Sequence, residues 1–299
     1  MEVNIKESLH QDMASLMRKE LEEVGFDTSA ISDENVPIKY FTVVLRLIEK
    51  KPRAIYKSKD FSCPSNLVRG LSILESKIKS GESLFPHQSK SIARLSSEDK
   101  MLYAWSIYHF HLGESIDSSG FITRTGPILF AFITDDAVYM IDIKSHGSWS
   151  DKGLIQILYN NWPSLLDSWK VNGTSEVNFD SEAITQLRRS NINTIITLDD
   201  GSCFMGPGLG FTTAGTPAEA TLKVNNIKHH IDRFLRDLQK DPVAFLKTSY
   251  SDEDINHISS FDFDLHIEVL DQNKIAAVDK NSGIYQVLFE QKKFLKDKI

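Results

Sequence analysis

The first strong periodicity along the chain is helical. In "SLHQDMASLMRKELEEVGF" apolar residues recur at Leu9, Met13, Leu16, Met17 and Leu21, and Gly25 stands where such a helix stops. "VPIKYFTVVLRLIEKK" predicts a second helix, ended before Pro52. "NLVRGLSILESKIKSGESL" repeats the spacing through Leu67, Leu71, Leu74 and Ile78, with Gly81 as its stop. Between them "RAIYKS" reads as a short strand. "SEDKMLYAWS" predicts one more helix, and there the period changes. "SIYHFHLG", "PILFAFITD" and "AVYMIDIKSHG" are rich in aromatic and β-branched residues. A tight Asp135-Asp136 turn joins the last two, which predicts an antiparallel meander. "DKGLIQILYNNWPSLLDSW" then returns to helical spacing.

This order predicts an α+β unit, a small antiparallel sheet with helices on one face. The polar, unpatterned "KVNGTSEVNFDSE" near residue 170 reads as a linker. Beyond it come a hairpin and glycine loop in "NTIITLDDGSCFMGPGLG", a long helix from Pro217, and further strands in "DFDLHIEVLDQNKIAAVDKNSGIYQVLFE", so a second α+β domain is expected. The division expected is a helical N-terminal region 1–64, an α+β domain 65–170 carrying the His-x-His strand, and a C-terminal α+β domain 171–299. The glycine loop lacks the Gly-Lys-Ser/Thr of a phosphate loop and the spacing of a dinucleotide fingerprint, and it reads as a tight strand-to-helix connection.

Composition changes this picture little: 41% hydrophobic and 25% charged residues describe an ordinary globular protein and suggest neither disorder nor low complexity. No window reaches the apolar length of a membrane span and the N-terminus has no apolar signal core, so the expected location is the cytoplasm. Cys63 and Cys203 share no ligand-like spacing and read as packing residues.

Charge matters more. The net charge of −7 hides an asymmetry: residues 40–100 carry 12 Lys and Arg against 6 Asp and Glu. A basic segment beside an acidic remainder can offer one face to a polyanion. Lys77, Lys79 and Arg94 are the residues expected to bind such a substrate, with Trp149 as a candidate stacking platform. For any single lysine, a solvated helix surface is the plainer reading.

Candidate chemistry gathers on the meander. Strand alternation puts His109 and His111 on one face, about 7 Å apart, and Phe110 and Leu112 on the other. Arg124 enters the next strand, Asp142 and Lys144 alternate in phase on the third, and His146 follows its end. His109, His111, Arg124, Lys144 and His146 supply acid/base groups and cations without an obligatory carboxylate. That set suits cleavage of an RNA phosphodiester with no metal and no cofactor. The same residues allow a zinc site of His109, His111, His146 and Asp142, and spacing alone does not choose between them.

"SKIKSGESL", then "YHFHLG", an arginine and "VYMIDIKSHG" together resemble the YafO type of toxin, ribosome-associated mRNA interferases of the RelE-like group. The resemblance spans roughly residues 65 to 165, a third of the chain. It implies a RelE-like fold for that part, RNA as partner on or off the ribosome, and an inhibitor protein. Carried over by position, it points to His109, His111, Arg124 and His146. The leading expectation is therefore a metal-independent endoribonuclease, a toxin or phage-defence effector. The alternatives are a non-catalytic protein-interaction module with structural histidines and a zinc-dependent hydrolase. His111, at the strand end, is expected to be the exposed acid/base group.

Overall fold

A computed structural model describes residues 2–173, 179–257, 259–291 and 295. In chain order the elements begin with β1 (Glu2–Glu7), α1 (Leu9–Glu23), α2 (Val36–Arg46), β2 (Ala54–Lys57), α3 (Val68–Ser80) and α4 (Lys100–Trp105). The expected meander follows as β3 (Ile107–His111), β4 (Pro127–Ile133) and β5 (Ala137–Ser145), then α5 (Gly153–Asn161), β6 (Lys170–Val171) and α6 (Ser181–Arg189). The chain continues with β7 (Ile196–Thr197), β8 (Cys203–Phe204), α7 (Ala218–Lys240), α8 (Pro242–Leu246), α9 (Asp252–Asn256), β9 (Ser260–Leu270), β10 (Lys274–Asp279) and β11 (Tyr285–Glu290). The class is α+β, as the periodicities predict.

The chain forms two compact units that interleave in sequence. Unit 1 comprises Met1–Phe41 with Leu222–Asp297, and unit 2 runs over Thr42–Thr221. The expected boundaries at 64/65 and 170/171 therefore fall inside unit 2. The reason is long-range. β1, unexpected from the sequence, pairs in parallel with β9, Val3 facing Phe261 and Ile5 facing Phe263, in a sheet of order β1-β9-β10-β11. At the other expected boundary, Ile184, Ile196, Leu198 and Phe204 join the core of unit 2. The segment expected as a linker contributes β6, which pairs with β8, and its residues 174–178 lie outside the described residues.

The main sheet of unit 2 has the order β2-β5-β4-β3, with β2 added in parallel to an otherwise antiparallel meander. It is covered on both faces rather than one. Leu71, Leu74 and Ile78 of α3 pack on Phe110, Leu129, Ala131 and Met140. On the other face Leu154, Ile155 and Leu158 of α5 and Ile184 of α6 meet Ile107, Ile128, Phe130 and Phe132. The cause is visible in β4: "PILFAFI" has no polar residue to offer solvent, so both faces must be buried. Each of the leucine, isoleucine, phenylalanine and methionine side chains among them contributes roughly 2 kcal/mol on burial. The glycine loop closes on α4 as a tight connection. A Cβ at Gly208 would stand 2.3 Å from the Tyr103 carbonyl oxygen, so only glycine allows that approach.

Candidate functional site

His109 lies on β3 opposite Phe130, on the sheet face that α5 covers. Its side chain is 12% exposed, and its Nδ1 stands 3.5 Å from Asp99 Oδ2, longer than a well-formed hydrogen bond. Asp99 is fixed because its other oxygen accepts from Leu102 N at 2.9 Å as the N-cap of α4. The Trp149 ring packs against His109 at 4.7 Å and against His146 at 5.0 Å, so the two imidazoles flank it. Burial pushes the His109 pKa down; Asp99 opposes this and the charges of His146 and Arg124 assist it. Exposed Arg124 and His146 meet at 3.0 Å, Nη2 to Nε2. Arginine can only donate, so that imidazole nitrogen accepts and is unprotonated.

These groups line a cavity of about 600 Å³ whose walls also carry Arg46, Lys100, Arg188 and Arg189. With Arg124, five cationic side chains face two carboxylates, Glu98 and Asp99. Arg46 and Arg188 are 2% and 5% exposed. Arg46 Nη1 donates to the carbonyls of Ser97 at 2.8 Å and Arg94 at 3.2 Å. Arg188 Nη1 donates to the carbonyl of Trp149, and its guanidinium lies 3.9 Å over the Trp105 ring. Burial lowers the pKa of both, that of Arg188 to about 10, while Asp99 opposes the shift in each. Sequence reasoning missed Arg46, Asp99 and Arg188.

Of the expected residues, His109, Arg124, His146 and Trp149 share this cavity, and the others do not. His111 is 1% exposed and is no surface acid/base group. Thr125 N donates to its Nδ1 at 3.4 Å, and its ring stacks 6.0 Å from that of His146. Burial chiefly, helped by Arg124, His109 and His146, pushes its pKa down to about 4. Lys144 is held by Asp151 at 2.7 Å, with Asp142 at 3.9 Å, away from the cavity wall. Lys77 and Lys79 lie in the last turn of α3, which covers the opposite face of the sheet. Arg94 is exposed outside the cavity wall, and only its carbonyl reaches Arg46.

The zinc set is not assembled. Among the described residues no group of three or more His, Cys, Asp or Glu is placed to hold a metal ion. His111 is buried, Arg124 occupies the His146 Nε2 lone pair, and Asp142 sits by Lys144. Cys63 and Cys203 are free. Among the described residues no helix is long and apolar enough to cross a membrane. No family model matches the chain, and neither a curated protein nor a solved structure matches it.

Proposed function

We propose that this protein cleaves RNA without a metal ion, with the scissile phosphate held in the cation-lined cavity of unit 2. The observation that carries the reading is the pair of imidazoles flanking Trp149, one beside Asp99 and one beside Arg124. RNA is the substrate class because metal-free cleavage needs a nucleophile, and RNA brings its own in the 2′-hydroxyl. That oxygen forms a bond to phosphorus, the bond from phosphorus to the 5′-oxygen breaks, and the products are a 2′,3′-cyclic phosphate and a 5′-hydroxyl. His146, whose Nε2 is unprotonated, takes the 2′-hydroxyl proton once Arg124 turns to the phosphate. His109 in its protonated form, which Asp99 favours against the larger effect of burial, gives a proton to the leaving 5′-oxygen. Arg124, with Lys100 and Arg189 on the same wall, offsets the charge that builds on the phosphorane.

This is the activity class that the resemblance to YafO-type interferases implies, with RNA as partner and the cytoplasm as location; His109 takes over the role expected of His111. The test is incubation of the full chain with single-stranded RNA in EDTA, with analysis of the product ends. Cyclic phosphate ends are expected from RNA and no cleavage from the matching DNA, which lacks the nucleophile. Equal cleavage of both, or no cleavage of either, overturns the reading.

A further inference from the structure

The cavity contains more binding capacity than the cleavage step uses. Arg46 spends both Nη1 protons on carbonyls, yet its Nε and Nη2 are buried with no hydrogen-bond partner among the described residues. Arg188 spends Nη1 on Trp149 and Ser150, and its Nη2 is likewise buried and unpartnered. Two guanidiniums thus keep five N–H groups open while being almost wholly withdrawn from water. Burying a charged donor without a partner costs more than any ordinary hydrogen bond returns. Both side chains occupy helix positions in phase with buried apolar residues: Arg46 stands three after Val43, and Arg188 four after Ile184. Neither points outward by periodicity, and both line the cavity.

We infer that Arg46 and Arg188 form an oxyanion subsite of this cavity that takes a terminal phosphate, a phosphomonoester dianion. Five open donors on the wall of one cavity exceed what the two oxygens of one carboxylate require and are enough in number for the three terminal oxygens of a phosphomonoester. The backbone carbonyls that fix each Nη1 leave the remaining fork pre-oriented, so little side-chain entropy is lost on binding. A cavity of about 600 Å³ exceeds the volume of one phosphate and leaves space for a nucleoside beside it, with the Trp149 ring on the wall. The subsite shares its cavity with the cleavage reading but does not depend on cleavage.

Calorimetric titration of the full chain with inorganic phosphate, uridine 5′-monophosphate and uridine tests it. Phosphate and the monophosphate bind and uridine does not. Tighter binding of the monophosphate assigns the subsite to a phosphorylated nucleotide, and tighter binding of inorganic phosphate supports the same subsite with free phosphate as its ligand. Arg188→Gln weakens binding by about tenfold or more, the loss expected for charge-assisted hydrogen bonds. Because Arg46 also holds the loop carbonyls of Arg94 and Ser97, its variant can unfold. The Arg46 Nε–H resonance of the unmodified protein replaces it and shifts on phosphate addition. Absence of binding at about 10 mM ligand, unchanged affinity in a folded Arg188→Gln protein, or equal binding of malonate overturns the inference. Phosphate binding in a protein that cleaves no RNA sinks only the cleavage reading; cleavage with no phosphate binding sinks only the subsite.

Discussion

His266 in unit 1 and His111 in unit 2 both stand on strands in part-polar surroundings, and the two environments are opposite. Both nitrogens of His266 are partnered: Nδ1 by Ser8 Oγ at 2.9 Å and Asp12 Oδ2 at 3.2 Å, Nε2 by Asp264 Oδ1 at 3.0 Å. Asp12 also accepts from Ile267 N at 3.0 Å, so the cluster ties α1 to β9. His111 has one long contact, to Thr125 N, its Nε2 has no partner among the described residues, and Arg124 is the charge that acts on it most. A closed network of this kind is a structural cross-link. His111 is instead a nearly buried histidine with an unfilled hydrogen-bonding position, the kind of group that burial holds neutral rather than one that cross-links two elements.

The largest expected effect exposes this contrast by pH. His111 and His87 have pKa values pushed down to about 4, in both cases chiefly by burial, while an unfolded histidine titrates at 6.5. Between those values the unfolded chain binds protons that the folded chain refuses, so stability is full above about pH 6.5 and falls as the pH drops toward 4. Each histidine contributes about 3 kcal/mol across that window. Urea unfolding of unit 2 at pH 7 and pH 5 measures it. His111→Asn, which keeps an acceptor where Nδ1 stands, makes the dependence shallower. A pH-independent midpoint sinks the account of His111 as a neutral core residue.

How much of this was legible in the sequence follows from the range of each interaction. Period-two and period-3.6 patterns are local, and they placed the meander, α1, α3 and the face shared by His109 and His146. The pairing of β1 with β9 joins residues 258 positions apart, and neither strand's own pattern names its partner. The burial of His111 depends on tertiary neighbours such as Thr125 and His146, which strand alternation cannot report. Arg46 and Arg188 were legible in principle, because each puts a charge at an apolar phase of an amphipathic helix. Counting basic residues by segment pointed instead to Lys77 and Lys79, whose number reflects a solvated helix end.

The next effect in size separates the two histidine environments by function. His109→Ala and His146→Ala each lower RNA cleavage by about a hundredfold or more, roughly 2.7 kcal/mol in barrier. His266→Ala leaves cleavage unchanged. The three variants are compared by initial rates beside a thermal melt. A folded His146→Ala protein of full activity would falsify the acid/base pair.

In stability the order reverses at His266. Its side chain is 20% exposed and its partners are two carboxylates and a hydroxyl, so His266→Ala costs about 1 kcal/mol. Asp12→Asn is expected to cost a similar amount and to be non-additive with it, since the two remove one cluster. A double variant whose loss equals the sum of the single losses breaks the description of this site as a cross-link.

The smallest expected effect concerns Lys77 and Lys79 in the last turn of α3. If the cavity is the site of the polyanion, Lys77→Glu with Lys79→Glu changes RNA cleavage and phosphate binding by less than about twofold, because α3 packs on the sheet face opposite His109. Stability falls by about 0.5 kcal/mol per site, as a carboxylate replaces a cation beside the carbonyl end of the helix. A finer consequence ties this surface back to the buried histidines. The Lys77 charge is a cause of the depressed His87 pKa second to burial, while the hydrogen bond to the His111 carbonyl opposes both. Reversing it raises that pKa toward 6.5, so the loss of stability between pH 7 and pH 5 becomes slightly smaller in the double variant, as the same urea series measures. A collapse of RNA cleavage in that variant would instead move the polyanion across α3 and leave the arginine cavity without its substrate.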